Sequence, residues 1–170
     1  MLLRTLFVFI FGRRHPAVNF DQTTHTSMTV LPVDLDILLH VNNGVYFSYM
    51  DFGRWDMIFR NGVYAVSKKM NWYSVVAAET IRFKRSLKLW DRFTIHTQIR
   101  GHDEKYFYLS QKIICRGELM STALVKIRFL KRTGGTVAPE EVMVQFPGIT
   151  KKPQAILGAD WQNFEQNHLL

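Results

Sequence analysis

Two carboxylates, an imidazole and two carboxamides fall within the run Asp34-Leu35-Asp36-Ile37-Leu38-Leu39-His40-Val41-Asn42-Asn43. A carboxylate can attack an activated carbonyl or take a proton from water, and an imidazole can do the latter. An Asn before a helix can cap it, because its side-chain oxygen accepts from orphan backbone N–H groups. Unclaimed N–H groups at the same place, helped by the helix dipole, can stabilise developing negative charge. The same residue types also have plain structural uses. Asp is common in turns, Asn caps helices, and a histidine often only holds a loop by hydrogen bonding.

The elements around this run must position it. Thr23 to Val33 is rich in Thr and Val and reads as a strand. The loop Asp34 to Asn42 follows, and then the period changes. Tyr46, Tyr49, Met50, Gly53 and Met57 share one helical face, widened by Phe52, Trp55 and Phe59. Such a helix is apolar over most of its circumference and should be buried. Asn61-Gly62 supplies its stop. Gly53 costs about 1 kcal/mol relative to Ala inside a helix, and close approach to a sheet would offset that. Ala65 to Asn71 is expected to form a short turn of helix.

After it the period is two. Ile81 and Phe83 alternate with Arg82 and Lys84. Phe93, Ile95, Thr97 and Ile99 alternate with polar residues, Phe107, Leu109, Ile113 and Cys115 share a face, and so do Ala123, Val125, Ile127 and Phe129. Lys88–Asp91, Gly101–Glu104 and Arg116–Glu118 read as short hairpin connections, which predicts a four-strand antiparallel meander. The resulting order, strand, loop, buried helix, four strands, gives an α+β chain in which a curved antiparallel sheet wraps a long central helix. That is the hotdog architecture. The domain is expected over residues 23–150, after an apolar and basic segment 1–22 and before a peripheral tail 151–170.

The 170 residues suit one domain, and an apolar fraction of 47% argues against disorder. The net charge of +8 favours anionic partners: nucleic acid, anionic lipid or a phosphorylated small molecule. The single cysteine, Cys115, excludes an internal disulfide and any cysteine-based zinc site. Met1 to Phe11 is apolar, broken by Arg4 and Thr5, and Arg13-Arg14 follow. It is shorter than the roughly 20 residues that span a bilayer. It reads either as an element packed on the domain or as a membrane-surface anchor.

The pattern D-x-D-x-x-x-H-V-N-N-x-x-Y over Asp34 to Tyr46, followed by Asp51-Phe52-Gly53-Arg54, resembles the hotdog thioesterase superfamily. The branch is that of 4-hydroxybenzoyl-CoA thioesterase and related acyl-CoA and acyl-carrier-protein thioesterases. The resemblance implies an acyl-CoA thioesterase with Asp36 as the catalytic carboxylate, acting as nucleophile or as general base. It implies the Asn43 N–H as oxyanion donor, with His40 and Asn42 shaping the loop. Asp34 is expected to be a structural carboxylate. This helix has no Glu, unlike another thioesterase branch, and Glu79 on the second strand is a weak supporting candidate. A non-catalytic acyl-CoA- or lipid-binding hotdog is the alternative.

Tyr46, Met50, Trp72 and Tyr73 are the candidates for an acyl slot. Arg82, Lys84 and Arg85, with Lys88, form one basic group for coenzyme A phosphates, and Lys126, Arg128, Lys131 and Arg132 form another. No cofactor or metal is expected, coenzyme A entering only as part of the substrate. The resemblance further implies a homodimer or dimer of dimers. Nucleic acid is not an expected partner, since its binding would prefer exposed aromatics interleaved with these charges on a known module; no P-loop, GxGxxG or zinc spacing is present either. A cytoplasmic location, with membrane association through the N-terminus, completes the expectation.

Overall fold

The computed structural model describes residues 16–146 and 154–155. The anchor read in Met1 to Arg14 and most of the 151–170 tail lie outside the described residues. The chain runs β1 (Thr24–Thr29), a 3-10 turn (Pro32–Asp34), α1 (Asn43–Arg60), α2 (Val63–Met70), β2 (Trp72–Phe83), β3 (Arg92–His102), β4 (Phe107–Cys115), β5 (Glu118–Lys131), β6 (Thr136–Val137), α3 (Pro139–Met143) and β7 (Gln154–Ala155). A curled antiparallel sheet half-encloses α1, which is the hotdog arrangement.

The sheet order is β1-β3-β4-β5-β2. The meander is therefore confined to β3, β4 and β5. The strand after the helix, β2, pairs with β5 instead of β3, and β1 takes the place beside β3. The physical reason lies in the curl: β1 and β2 flank the helix in sequence and close the two sides of the trough that holds it. The segment 84–91 must then cross one end of the trough. It is fastened there by Val41 N–H to the Leu87 carbonyl at 3.2 Å and Leu87 N–H to the Tyr46 hydroxyl at 3.0 Å. β1 also ends earlier than its composition suggests. Val30 leaves the ladder to donate to the Asp91 carbonyl, and Pro32, which has no N–H, opens the 3-10 turn.

The helix ends obey their local chemistry. Asn42 Oδ1 accepts from Gly44 N–H at 2.8 Å, capping α1. Gly62 adopts φ +81°, and the Asn61 side chain then accepts from Val63 N–H to start α2. Gly53 faces the sheet so closely that an added Cβ would lie 2.8 Å from both Ile95 Cγ2 and Thr97 Oγ1. Any side chain there would overpack the interface.

The core divides along the helix. Its first half packs Tyr46, Tyr49, Met50 and Phe52 on Phe93, Ile95 and Ile113. Its second half packs Met57 with Trp72, Ile99, Phe107 and Phe129. Phe20 joins that second cluster, and Val18 N–H donates to the Arg60 carbonyl, so residues 16–20 lie against the domain. Gln154–Ala155 add a short parallel strand to β3 at Gly101–His102, extending the sheet with residues read as tail. Among the described residues no helix is long and apolar enough to cross a membrane.

Candidate active site

The run between β1 and α1 folds as a small hairpin-like loop. Leu35 bridges Val41, Asp36 N–H donates to the His40 carbonyl at 2.8 Å, and Asn42 N–H donates to the Asp34 carbonyl at 2.9 Å. Asp36 thus faces His40 across the loop, six residues before the capping Asn42. Its Oδ1 accepts from Leu38 N–H at 2.8 Å and His40 N–H at 3.3 Å. Its Oδ2 has no protein partner among the described residues. The carboxylate is partly exposed, held at one oxygen and available at the other.

The four polar neighbours differ in use. Asp34 is buried, its Oδ2 accepting from Leu31 N–H at 2.7 Å, which fits its structural reading. His40 holds the loop through its main chain, while its side chain is exposed. Asn42 spends its side-chain oxygen on Gly44, so the Gly44 N–H is not available to a substrate. The Asn43 N–H, at the first position of α1, has no partner among the described residues. The helix start therefore leaves one clean donor, at the positive end of the dipole.

The loop carries strain. Leu39 has φ +59°, and on the adjoining segment Trp90 has φ +64°. Neither residue type favours this left-handed region, and such a conformation costs about 1 kcal/mol or more at each position. The two segments are bonded together: His40 bridges Lys88, and Trp90 N–H donates to the Val30 carbonyl.

The proposed acyl slot is not assembled in one chain. Tyr46 and Met50 are core residues, 2% and 0% exposed. Periodicity marked them as buried but not against what, and they pack on the sheet. Burial raises the Tyr46 hydroxyl above the ordinary phenol range, the Leu87 hydrogen bond opposing and Asp91 reinforcing it, so it stays neutral. Trp72 and Tyr73 do share a groove of about 360 Å³ with Trp55, Tyr64 and Arg132, near the other end of α1. The twelve residues from Asn43 to Trp55 put it about 18 Å along the helix from the cap. A small apolar cavity of about 20 Å³ lies beneath the same half of the helix, between Met57, Ile99 and Phe129.

The basic residues are also dispersed. Lys84 borders a groove of about 490 Å³ on the outer sheet face with His96, Arg100 and Lys112. Arg82 shares that face by register, opposite Thr122, and Arg85 is ion-paired to Glu118. Lys126 lies 4.2 Å over the Tyr106 ring. His96 is pushed below the usual histidine range by burial, then by His25 and Lys112.

Composition and periodicity missed a buried polar network under α1. Arg54 donates to Glu79 on β2 and to Gln111 on β4, both at 2.8 Å, and reaches Asp51 at 3.3 Å. Gln111 in turn donates to the Met50 carbonyl and to Thr97 Oγ1. Arg54 therefore fixes the helix to its own sheet. The signal was present: Gln111 and Glu79 occupy inward phases of their strands, where the neighbours are apolar. No cluster of three metal-capable side chains occurs among the described residues.

Residues 30–146 match the profile of the thioesterase-like superfamily. Protein THEM6 of Xenopus laevis is 34% identical over 125 residues, covering 72% of this chain and 60% of the relative. The long-chain acyl-CoA thioesterase FadM of Escherichia coli (strain K12) is 29% identical over 102 residues, covering 59% of this chain and 77% of that protein. Among solved structures, the YbaW probable thioesterase from Escherichia coli superposes with a TM-score of 0.67 at 27% identity, covering 72% of this chain and 97% of that one. The chain spans about 60% of the length of its Xenopus relative.

Proposed function

The chain belongs to the thioesterase-like superfamily, and from that premise we propose that it hydrolyses acyl-coenzyme A thioesters to a free acid and coenzyme A. One observation carries the reading. Asp36 offers a carboxylate oxygen with no protein partner among the described residues, on the loop that leads into a helix start whose Asn43 N–H is unclaimed. A thioester carbonyl placed between them would meet a nucleophile or base on one side and an oxyanion donor on the other.

Two routes fit. In the first, Asp36 attacks the carbonyl carbon, the thiolate of coenzyme A leaves, and water cleaves the resulting anhydride. In the second, Asp36 takes a proton from water, which attacks directly. In both, charge builds on the carbonyl oxygen and the Asn43 N–H stabilises it. FadM is a long-chain acyl-CoA thioesterase, which supports an aliphatic acyl group as the first to test.

A homodimer is part of this reading. β2 pairs with β5 on one side, and among the described residues its other edge has no strand neighbour. Val76 and Tyr73 are exposed there, at 45% and 38%. Two copies joined antiparallel along β2 would lay one α1 start near the other α1 end. The groove beside Trp72 and Tyr73 would then approach the partner copy's Asp36, supplying the slot that one chain lacks. The test is free-thiol release from short, long and aromatic acyl-CoA esters by wild type and Asp36→Asn. Turnover lost in the variant with its oligomeric state intact supports the reading. No turnover by folded wild type moves it to a non-catalytic acyl-CoA-binding protein, and turnover surviving in Asp36→Asn removes Asp36 from the chemistry.

A further inference from the structure

Pairing across the sheet puts His25, His96, Lys112, Thr122 and Arg82 in one row, from β1 through β3, β4 and β5 to β2. The row lies on the outer face. Side chains alternate along a strand, and Ile95 and Thr97, on either side of His96, meet Gly53 of α1 on the inner one. Gln98 opposite Ser110 forms the next row, and Arg100 follows two residues further along β3. These residues border the groove of about 490 Å³ that Lys84 closes at one end. None of its lining side chains is acidic. Among the described residues no carboxylate pairs with Lys84, Arg100 or Lys112, and Arg100 donates only to Gln98, at 3.0 Å.

The carboxylates around the groove are engaged or outside it. Asp21 is not free, Glu118 pairs with Arg85, and Glu104 stands in the turn beyond β3. Asp103 accepts from the Tyr108 hydroxyl and from the Lys105 and Tyr106 N–H groups. Burial, then His25 with its ring centroid at 4.3 Å, then Lys112, push His96 below the usual histidine range, so a positive field is felt on the groove floor.

Cations, hydroxyls and a carboxamide together are a donor set for phosphate oxygens. The four residues from His96 to Arg100 span about 13 Å of strand, which favours several linked anionic groups over a single one. The groove's volume falls in the range of small-molecule sites, roughly 300–1,000 Å³. No aromatic side chain lines it to stack on a base, and no exposed large apolar side chain lines it to enter a bilayer. A second copy set here would face its own cations. Asp36 lies on the loop leading into α1, on the other side of the sheet, and β3 and β4 stand away from the β2 edge in the strand order. Dimerisation along β2 therefore leaves the groove open.

We propose that the outer face of β3 and β4 is a binding site for a small molecule carrying two or more linked phosphate groups, separate from the thioester site. The full chain is titrated with inorganic tripolyphosphate at constant ionic strength, by calorimetry and by thermal melts. One ligand per chain is expected, with a Tm that rises with ligand concentration. Arg100→Gln/Lys112→Gln, both exposed positions, should weaken binding by about tenfold or more through loss of two charge-assisted contacts. Lys68→Gln/Lys69→Gln removes the same charge from α2 and should leave the affinity within about twofold, distant charges being screened. Equal losses in the two double variants would mean a general response to net charge and would overturn the proposal. So would tripolyphosphate that binds no better than sulfate, or wild-type binding by Arg100→Gln/Lys112→Gln. ATP distinguishes the sources: an affinity equal to that of tripolyphosphate assigns the site to the phosphate chain alone, a tighter one to a nucleotide, and either upholds it. Asp36→Asn should bind as wild type does; a variant that does not would move the ligand to the thioester site. Thiol release is not among the readouts, so failure of the proposed hydrolysis leaves this result standing.

Discussion

Arg54 on the central helix and Glu79 on the edge strand meet at 2.8 Å with side chains only 7% and 11% exposed. A buried ion pair adds little over apolar packing, but removing one member strands the other. Glu79→Leu should therefore lower stability by about 3 kcal/mol in urea unfolding. Asp51 and Gln111 remain for Arg54 and keep the loss from being larger. Arg54→Met combined with Glu79→Leu should cost less than the sum of the two single changes. An additive double-mutant cycle would mean the pair does not couple helix to strand.

Asp36 has two separable jobs. Its Oδ1 accepts two loop N–H groups, a task the amide oxygen of Asn can take over, whereas its charge cannot be replaced. Asp36→Asn should reduce kcat by about two orders of magnitude or more with little change in Tm. Asp36→Ala should show the same kinetic loss and a further destabilisation of about 1 kcal/mol. Equal Tm values for the two variants would contradict the loop role.

Neighbouring asparagines should behave differently. Asn42→Ala removes the cap on Gly44 and should cost about 1 kcal/mol. Asn43→Ala removes a side chain with no protein partner among the described residues, leaves the backbone donor, and should stay within about 0.5 kcal/mol of wild type. Thermal melts of the two proteins decide it, and a larger loss for Asn43→Ala would reverse the assignment.

Leu39→Asn should stabilise the protein. Asn accepts left-handed backbone more readily than Leu, and the Leu side chain is 72% exposed, so little packing is lost. A gain of about 1 kcal/mol in urea unfolding is expected. A destabilised variant would show that the side chain packs against something in the folded protein.

Much of the fold was legible because it is written in local period. The change from 2 to 3.6 and back placed α1 to within a residue of its cap, and the strands followed from alternation. Pairing was not legible. The eight residues between Phe83 and Arg92 look like a hairpin connection, and nothing local reveals that they cross the trough to another strand. Asp36, Asn42 and Asn43 stood out because polar groups cluster at one helix entry. Tyr46 and Met50 were read as slot residues because helical period reports burial without naming the neighbour, and in one chain that neighbour is the sheet. Gln111 was passed over because a single polar residue in an apolar strand phase carries weight only once Arg54 and Thr97 are seen beside it.

The crossing of segment 84–91 has a consequence for how the chain is made. Thr24 on β1 contacts Thr97 on β3, 73 residues later, so neither side of the trough can close until the middle of the sheet has been synthesised. At about 5–20 residues per second, that interval lasts roughly 4–15 s on a ribosome. For roughly the second half of it, once residue 60 has been made, the central helix is present while β3 and β4 are not, leaving Tyr49, Met50 and Phe52 without the strands that bury them. Such non-local pairing slows folding and leaves apolar surface open to aggregation. The newborn chain is thus a natural client for chaperones that shield a single amphipathic helix.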